Sequence, residues 1–159
     1  MTKLTDPVIL VIDSDPISIS TTRTILDCQK YKVHTAQDSN SAFVLAAGLN
    51  LDLVITDIRI GDRNGTELIQ EIRAIPGRSD VPVMFACASQ APGVIRRTHE
   101  FGAAFHVRKP FDPFVLLELV ERALWMPHLV HNHLEQVKRP YMPIIPSSFP
   151  AAMPIGITS

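Results

Sequence analysis

Cysteine is scarce in this sequence: only Cys28 and Cys87 occur in 159 residues. Two cysteines so far apart form no metal-type spacing and no disulfide framework, which points to a reducing cytoplasm. Charge of one sign is lacking as well. Fifteen Lys and Arg face sixteen Asp and Glu, for a formal net charge of −1. No overall positive field exists to draw in nucleic acid or an anionic membrane, so neither is expected as a partner. No apolar run approaches the roughly 20 residues that a membrane helix needs. The opening MTKLTDP lacks the apolar stretch of a secretory signal. Internal repeats and glycine-rich linkers are missing too. A chain of 159 residues suits one soluble domain, able to bury about two thirds of its unfolded surface.

What is present is a set of short apolar runs. VILVI (8–12), LDLVIT (51–56) and VPVMFA (81–86) are the strongest, with weaker β-like pieces at YKVHT (31–35) and AFHV (104–107). Runs without polar alternation suit strands buried on both faces, as in a parallel sheet covered by helices. Helical spacing marks 16–28, 39–48, 65–74, 92–101 and 113–125. In the first of these, Asp15 is placed to cap and Pro16 to occupy the first helical position, with Ile19, Thr22 and Leu26 on one face. Five strand-then-helix repeats predict a doubly wound α/β domain with a five-stranded parallel sheet and helices on both faces. Ligands in such folds lie at the carboxyl ends of the strands. The residues there are Asp13, Asp57, Cys87 and Lys109, a carboxylate pair facing a lysine.

Within VIDSDP (11–16), Asp13 and Asp15 bracket Ser14. The spacing alone is open to three readings: a nucleophile with its acid partner, half of a metal site, or a helix cap. Farther on, LDLVITDIRIGDRNG sets Asp57 at the mouth of a buried strand and Gly65 eight residues later. With an acid after the first strand and Lys109-Pro110-Phe111 after the fifth, the pattern resembles the receiver domain of two-component response regulators over about residues 6–125.

The resemblance implies a flavodoxin-like fold with strand order 2-1-3-4-5, and an Asp57 that accepts a phosphoryl group from a histidine kinase. It implies Mg²⁺ held by Asp13, Asp57 and the main-chain oxygen of Arg59, with Lys109 pairing Asp57 before transfer and a phosphoryl oxygen afterwards. A cis Lys109–Pro110 bond follows from it too. Physically, a carboxylate is a poor nucleophile toward a phosphorus ringed by negative oxygens, so the site must supply positive charge. A hard cation and an ammonium group do so.

Four positions depart from that family's habit. Ser14 stands where a second acid is usual, a weakened ligand position that lowers Mg²⁺ affinity. Cys87 stands at the Thr or Ser switch position, and a thiol is a weak donor. His106 replaces the aromatic readout with a smaller side chain of the type able to respond to pH. Gly61 replaces a proline and implies a looser loop after Asp57.

The last helix carries a narrow polar stripe, Glu118, Glu121 and Arg122, and more apolar surface than one sheet face covers. Its own tail or a partner helix would complete it, and a homodimer through the fifth helix or the tail is the expectation. Trp125 is expected to pack at the helix end. From Met126 on, six of the thirteen prolines fall in 126–159, and 140–159 carries no charge. Repeated proline argues against regular helix there. The segment is too apolar for ordinary solvated disorder and reads as a docking tail following a 1–125 receiver. His128, His131 and His133 do not share a helix face and read as solvated rather than metal-binding.

The expected function is a single-domain receiver without an enzymatic output domain, partnered by a sensor histidine kinase or phosphotransfer protein and a downstream regulator. The alternative is a phosphorylation-independent pseudo-receiver that only binds. A haloacid dehalogenase-type phosphatase also matches VIDSDP, but it requires a pair of acids after the lysine, where only Asp112, Glu118 and Glu121 remain.

Overall fold

The computed structural model describes residues 6–88 and 92–137. The chain divides into two units, Met1–Leu129 and Val130–Ser159, and the sheet and its site lie in the first. Among the described residues, seven strands and five helices follow in order: β1 (Val8–Ile12), α1 (Pro16–Leu26), β2 (Lys32–Ala36), α2 (Ser39–Gly48), β3 (Leu53–Thr56), β4 (Arg59–Ile60), β5 (Arg63–Asn64), α3 (Gly65–Arg73), β6 (Val83–Cys87), α4 (Pro92–Phe101), β7 (Phe105–Arg108) and α5 (Pro113–Val137). The five long strands form one parallel sheet in the order β2-β1-β3-β6-β7. Counting those strands alone, the order is 2-1-3-4-5.

Alternation along each strand explains why the runs read as continuously apolar. Leu10, Ile12, Val54, Val83 and Phe85 point to one face and pack with Ala42 and Ala46 of α2 and Leu68, Ile69 and Ile72 of α3. Ile9, Val11, Leu53, Ile55 and Met84 point to the other and meet Ile25 and Leu26 of α1 and Leu116, Val120 and Ala123 of α5. Burying each such large side chain contributes about 1.5–3 kcal/mol. The two apolar layers clamp the strand ends from both sides, and that fixes where the site residues emerge.

The helix starts are set by aspartates. The Ile17 N–H donates to Asp15 Oδ1 at 3.0 Å, with Pro16 at the start of α1. The Phe114 N–H donates to Asp112 Oδ1 at 2.8 Å ahead of Pro113. Asp38 caps α2 by accepting from the Ser41 N–H at 2.7 Å.

Three expectations need correction. The last helix does not stop at Trp125 but continues to Val137. Pro127 is the one proline between 126 and 137, and a single proline removes one backbone hydrogen bond without ending a helix held elsewhere. Trp125 is not packed away, since 56% of it is open to solvent. Gly61 does not loosen its loop: β4 and β5 form an antiparallel hairpin, Ile60 opposite Arg63, with Gly61 at φ 63° in a two-residue turn. A positive φ at the first turn residue is what such a hairpin requires. Buried Ile60 anchors it, and the Arg63 guanidinium ties it to Glu71 at 2.7 Å. The docking role given to 138–159, and the side chains of His128, His131 and His133, lie outside the described residues.

Candidate functional site

Asp13 and Asp57 emerge side by side because their strands are in register. Ile12 pairs with Thr56 across β1 and β3, and each next residue extends the ladder: the Asp57 N–H donates to the Ile12 carbonyl at 3.1 Å and the Asp13 N–H to the Ala36 carbonyl at 3.1 Å. Neighbouring strands lie about 4.8 Å apart, so the two carboxylates share one opening. Lys109 follows the last residue of β7, its N–H donating to the Cys87 carbonyl at 3.0 Å. β7 stands two strands beyond β3, and only a long side chain bridges that gap.

Lys109 bridges it. Its Nζ donates to Asp57 Oδ2 at 2.7 Å and also to Asp13 Oδ2. Burial by itself pulls the Lys109 ammonium downward, but the hydrogen bonds and charges of Asp13 and Asp57 outweigh it and hold the group above the ordinary lysine value. Asp13 is nearly buried, whereas the Asp57 side chain keeps 20% of its surface exposed. Asp57 is thus the carboxylate an incoming reagent can touch. The remaining oxygens are held by main-chain donors: Asp13 Oδ1 accepts from the Asp15 N–H at 3.0 Å, and Asp57 Oδ1 from the Arg59 N–H at 3.3 Å.

Gly65 opens α3 immediately under this site. Its N–H donates to the Ile58 carbonyl at 2.5 Å, and a Cβ there would stand 2.2 Å from the Asp57 carbonyl oxygen. No other residue allows the helix to begin so close to the acceptor's backbone. The Lys109–Pro110 peptide is cis.

The structure therefore brings Asp13, Asp57 and Lys109 together, with Arg59 beside them through its main chain. Ser14 is exposed. Cys87 ends β6, partly buried and packed against the α2–α3 core, and His106 lies partly buried on β7. Asp15 is committed to capping α1, and Glu118 and Glu121 lie exposed on α5. The phosphatase reading, which needs Asp15 as an acid and late acids at a strand end, does not fit this arrangement. Residue-type reasoning missed the Arg59 N–H and the hairpin that carries it. A backbone donor leaves no mark in side-chain chemistry, and the one signal was Gly61 next to Asp62.

Asp13 and Asp57 offer two carboxylates to a hard cation. Mg²⁺ commonly takes one or two and keeps several waters, so the donors fit a lightly held ion. Among the described residues no group of three or more His, Cys, Asp or Glu converges as a metal site. Among the described residues, too, no helix is long and apolar enough to cross a membrane.

Comparison with known proteins agrees with this geometry. The family model "Response regulator receiver domain" matches residues 9–121. The chain is 26% identical over 120 residues to "Two-component response regulator ORR3" of Oryza sativa, covering 75% of this chain and 92% of that protein. It is 25% identical over 136 residues to "Probable transcriptional regulator ycf29" of Porphyra purpurea, covering 86% of this chain but 65% of that protein's length. Among solved structures, the receiver domain of the sensor histidine kinase PA1611 of Pseudomonas aeruginosa superposes with a TM-score of 0.69 at 23% identity, over 75% of this chain and 98% of that one. That neighbour holds a magnesium ion in its active-site cleft. With the five-stranded order and the acid–lysine cluster at the strand ends, the family match over residues 9–121 means that the chain belongs to the response regulator receiver domain family.

Proposed function

We propose that this receiver is a phosphoacceptor whose Asp57 takes a phosphoryl group from the phosphohistidine of a sensor kinase or a phosphotransfer protein. The observation that carries the reading is the Lys109 ammonium donating to Asp13 and Asp57 at once. A carboxylate oxygen of Asp57 attacks phosphorus, the P–N bond breaks, and the histidine leaves with a proton, so the product is an aspartyl phosphate. The 20% exposure of the Asp57 side chain gives the donor access. Lys109, already charged, shifts one hydrogen bond from Asp57 to a phosphoryl oxygen. The Arg59 N–H keeps the acceptor carboxylate oriented during the approach.

Asp13, Asp57 and the main-chain oxygen of Arg59 would hold Mg²⁺, which supplies positive charge against the phosphoryl oxygens when bound. Ser14 contributes no charge, so affinity is expected to be low. Cys87 and His106 occupy the switch positions, and readout passes by protein contact to a downstream regulator and to a second copy through α5. Residues 1–125 are the receiver in this reading and 126–159 a docking tail. The exposed Cys28 thiol supports a cytoplasmic setting.

Exposed, neutral Ser14 favours a second reading, a pseudo-receiver that binds partners without being phosphorylated. Intact-mass measurement after incubation with acetyl phosphate and Mg²⁺ separates the two. A mass gain of one phosphoryl group that vanishes in Asp57→Asn supports the phosphoacceptor. No gain in the wild-type chain, together with no response to beryllium fluoride, supports the binding module.

A further inference from the structure

The β4–β5 hairpin has two residues in each strand, and even a longer two-stranded hairpin is marginal in water by itself. It carries Arg59, whose N–H donates to Asp57 Oδ1 at 3.3 Å. Contacts outside its own ladder must therefore hold it in place. Ile60, only 3% exposed, supplies one by packing into the core with α2 and α3. The Gly65 N–H closes the base of the loop on the Ile58 carbonyl. Arg63, the cross-strand partner of Ile60, supplies the third. Its Nη2 meets Glu71 Oε2 at 2.7 Å and its Nη1 reaches Oε1 at 3.5 Å, while Glu67 Oε1 stands 4.0 Å from Nη2. Glu67 and Glu71 are four residues apart and form one acidic stripe along α3, so the guanidinium lays the hairpin back along that helix.

We propose that Arg63 is a positioning residue for the phosphoacceptor site: by gripping Glu71 it keeps the hairpin docked, and with it the Arg59 main chain that orients Asp57 and lends its carbonyl to the cation. The proposal deepens the phosphoacceptor reading and rests on it for what is being positioned. With the two side chains 33% and 49% exposed, such an ion pair adds little to the stability of a whole domain. Hairpin docking is a local equilibrium with few buried contacts of its own, and there a small term shifts the populations. Positioning also has a signature that a simple field does not share. Acting through charge alone, loss of the Arg63 cation would favour a divalent ion nearby, and loss of the Glu71 anion would disfavour it. Acting as a grip, either loss frees the hairpin and weakens the ion.

The test is a double-mutant cycle in the full chain with Arg63→Gln, Glu71→Gln and the pair together. Both positions are at the surface, so the fold, checked by circular dichroism, is retained. Amide hydrogen exchange, followed by NMR without cation or phosphodonor, is expected to quicken about threefold or more from Arg59 to Asn64 in all three variants, the scale of an exposed ion pair, and to stay unchanged in β1 and β3. Mg²⁺ affinity by calorimetry is expected to fall about threefold in each single variant, and the double variant is expected to be no weaker than either. Unchanged exchange in the hairpin overturns the proposal. So does Mg²⁺ binding that tightens in Arg63→Gln, or losses that multiply in the double variant. Acetyl phosphate labelling of the wild-type chain keeps the two readings apart. A labelled chain whose hairpin exchange ignores Arg63 sinks only the grip, and an unlabelled chain whose hairpin loosens without Arg63 sinks only the phosphoacceptor.

Discussion

Lys109 Nζ lies 2.7 Å from Asp57 Oδ2 while it also donates to Asp13 Oδ2, so one cation from the end of β7 serves two carboxylates from the ends of β1 and β3. The pairs are separated by 52 and 96 residues in the chain. Opposed like charges at this range are costly unless a cation intervenes, and Lys109 is that cation.

Lys109→Ala leaves the two carboxylates facing each other. A divalent cation then meets no competing ammonium, and Mg²⁺ affinity is expected to rise by about tenfold or more, given the size of a close charge–charge term. Labelling by acetyl phosphate is expected to slow by about 10² or more, as when a group that stabilises developing charge is lost. Calorimetry and intact mass measure the two effects. A lower Mg²⁺ affinity would show that Lys109 does not compete for the site.

Ser14→Asp adds a third carboxylate beside Asp13. Mg²⁺ binding is expected to tighten by about 10-fold or more, by comparison with the 10–100-fold effects of ligand-shell changes. Titration calorimetry of the variant checks it, and an unchanged constant would mean that residue 14 stays turned to solvent whatever its charge.

Alkaline pH should weaken the fold through Lys109. Its pKa is raised above the ordinary lysine value of 10.5 in the folded chain. Its ion pairs therefore contribute fully below that value, and the contribution is lost as pH rises through the folded one. Tyr31, raised by burial and by Glu121, acts in the same direction, so the difference from a Lys109→Met chain isolates the lysine. Urea midpoints from pH 9 upward are expected to fall more steeply in the wild-type chain. Parallel slopes would dismiss Lys109 as the cause.

Gly65→Ala drives a Cβ to 2.2 Å from the Asp57 carbonyl oxygen. Backbone must move on both sides, at a cost of about 2 kcal/mol or more by analogy with overpacked cores. Denaturant unfolding reads the loss, and Asp57 labelling should fall with it. A variant as stable as the parent would mean that α3 can start elsewhere.

The apolar runs and their helical partners were legible because each strand is covered on both faces, which removes polar alternation and leaves an unmistakable signature at 8–12 and 53–56. Asp15 was legible as a cap because a cap is a local matter of one side chain and the next few N–H groups. The β4–β5 hairpin was missed, since two-residue strands have no periodicity to detect. The far end of α5 was misjudged because proline content was summed over a stretch in which only Pro127 falls within the helix.

Residue order alone determined the layered α/β class, the helix starts and the identity of the charged groups at the strand ends, all of which follow from interactions spanning a few residues. Tertiary structure decided that Lys109 divides itself between Asp13 and Asp57, that Ser14 is exposed, and that Trp125 faces solvent. Those outcomes depend on strand register and on which helix face the sheet can cover, and both are settled only when distant segments pack.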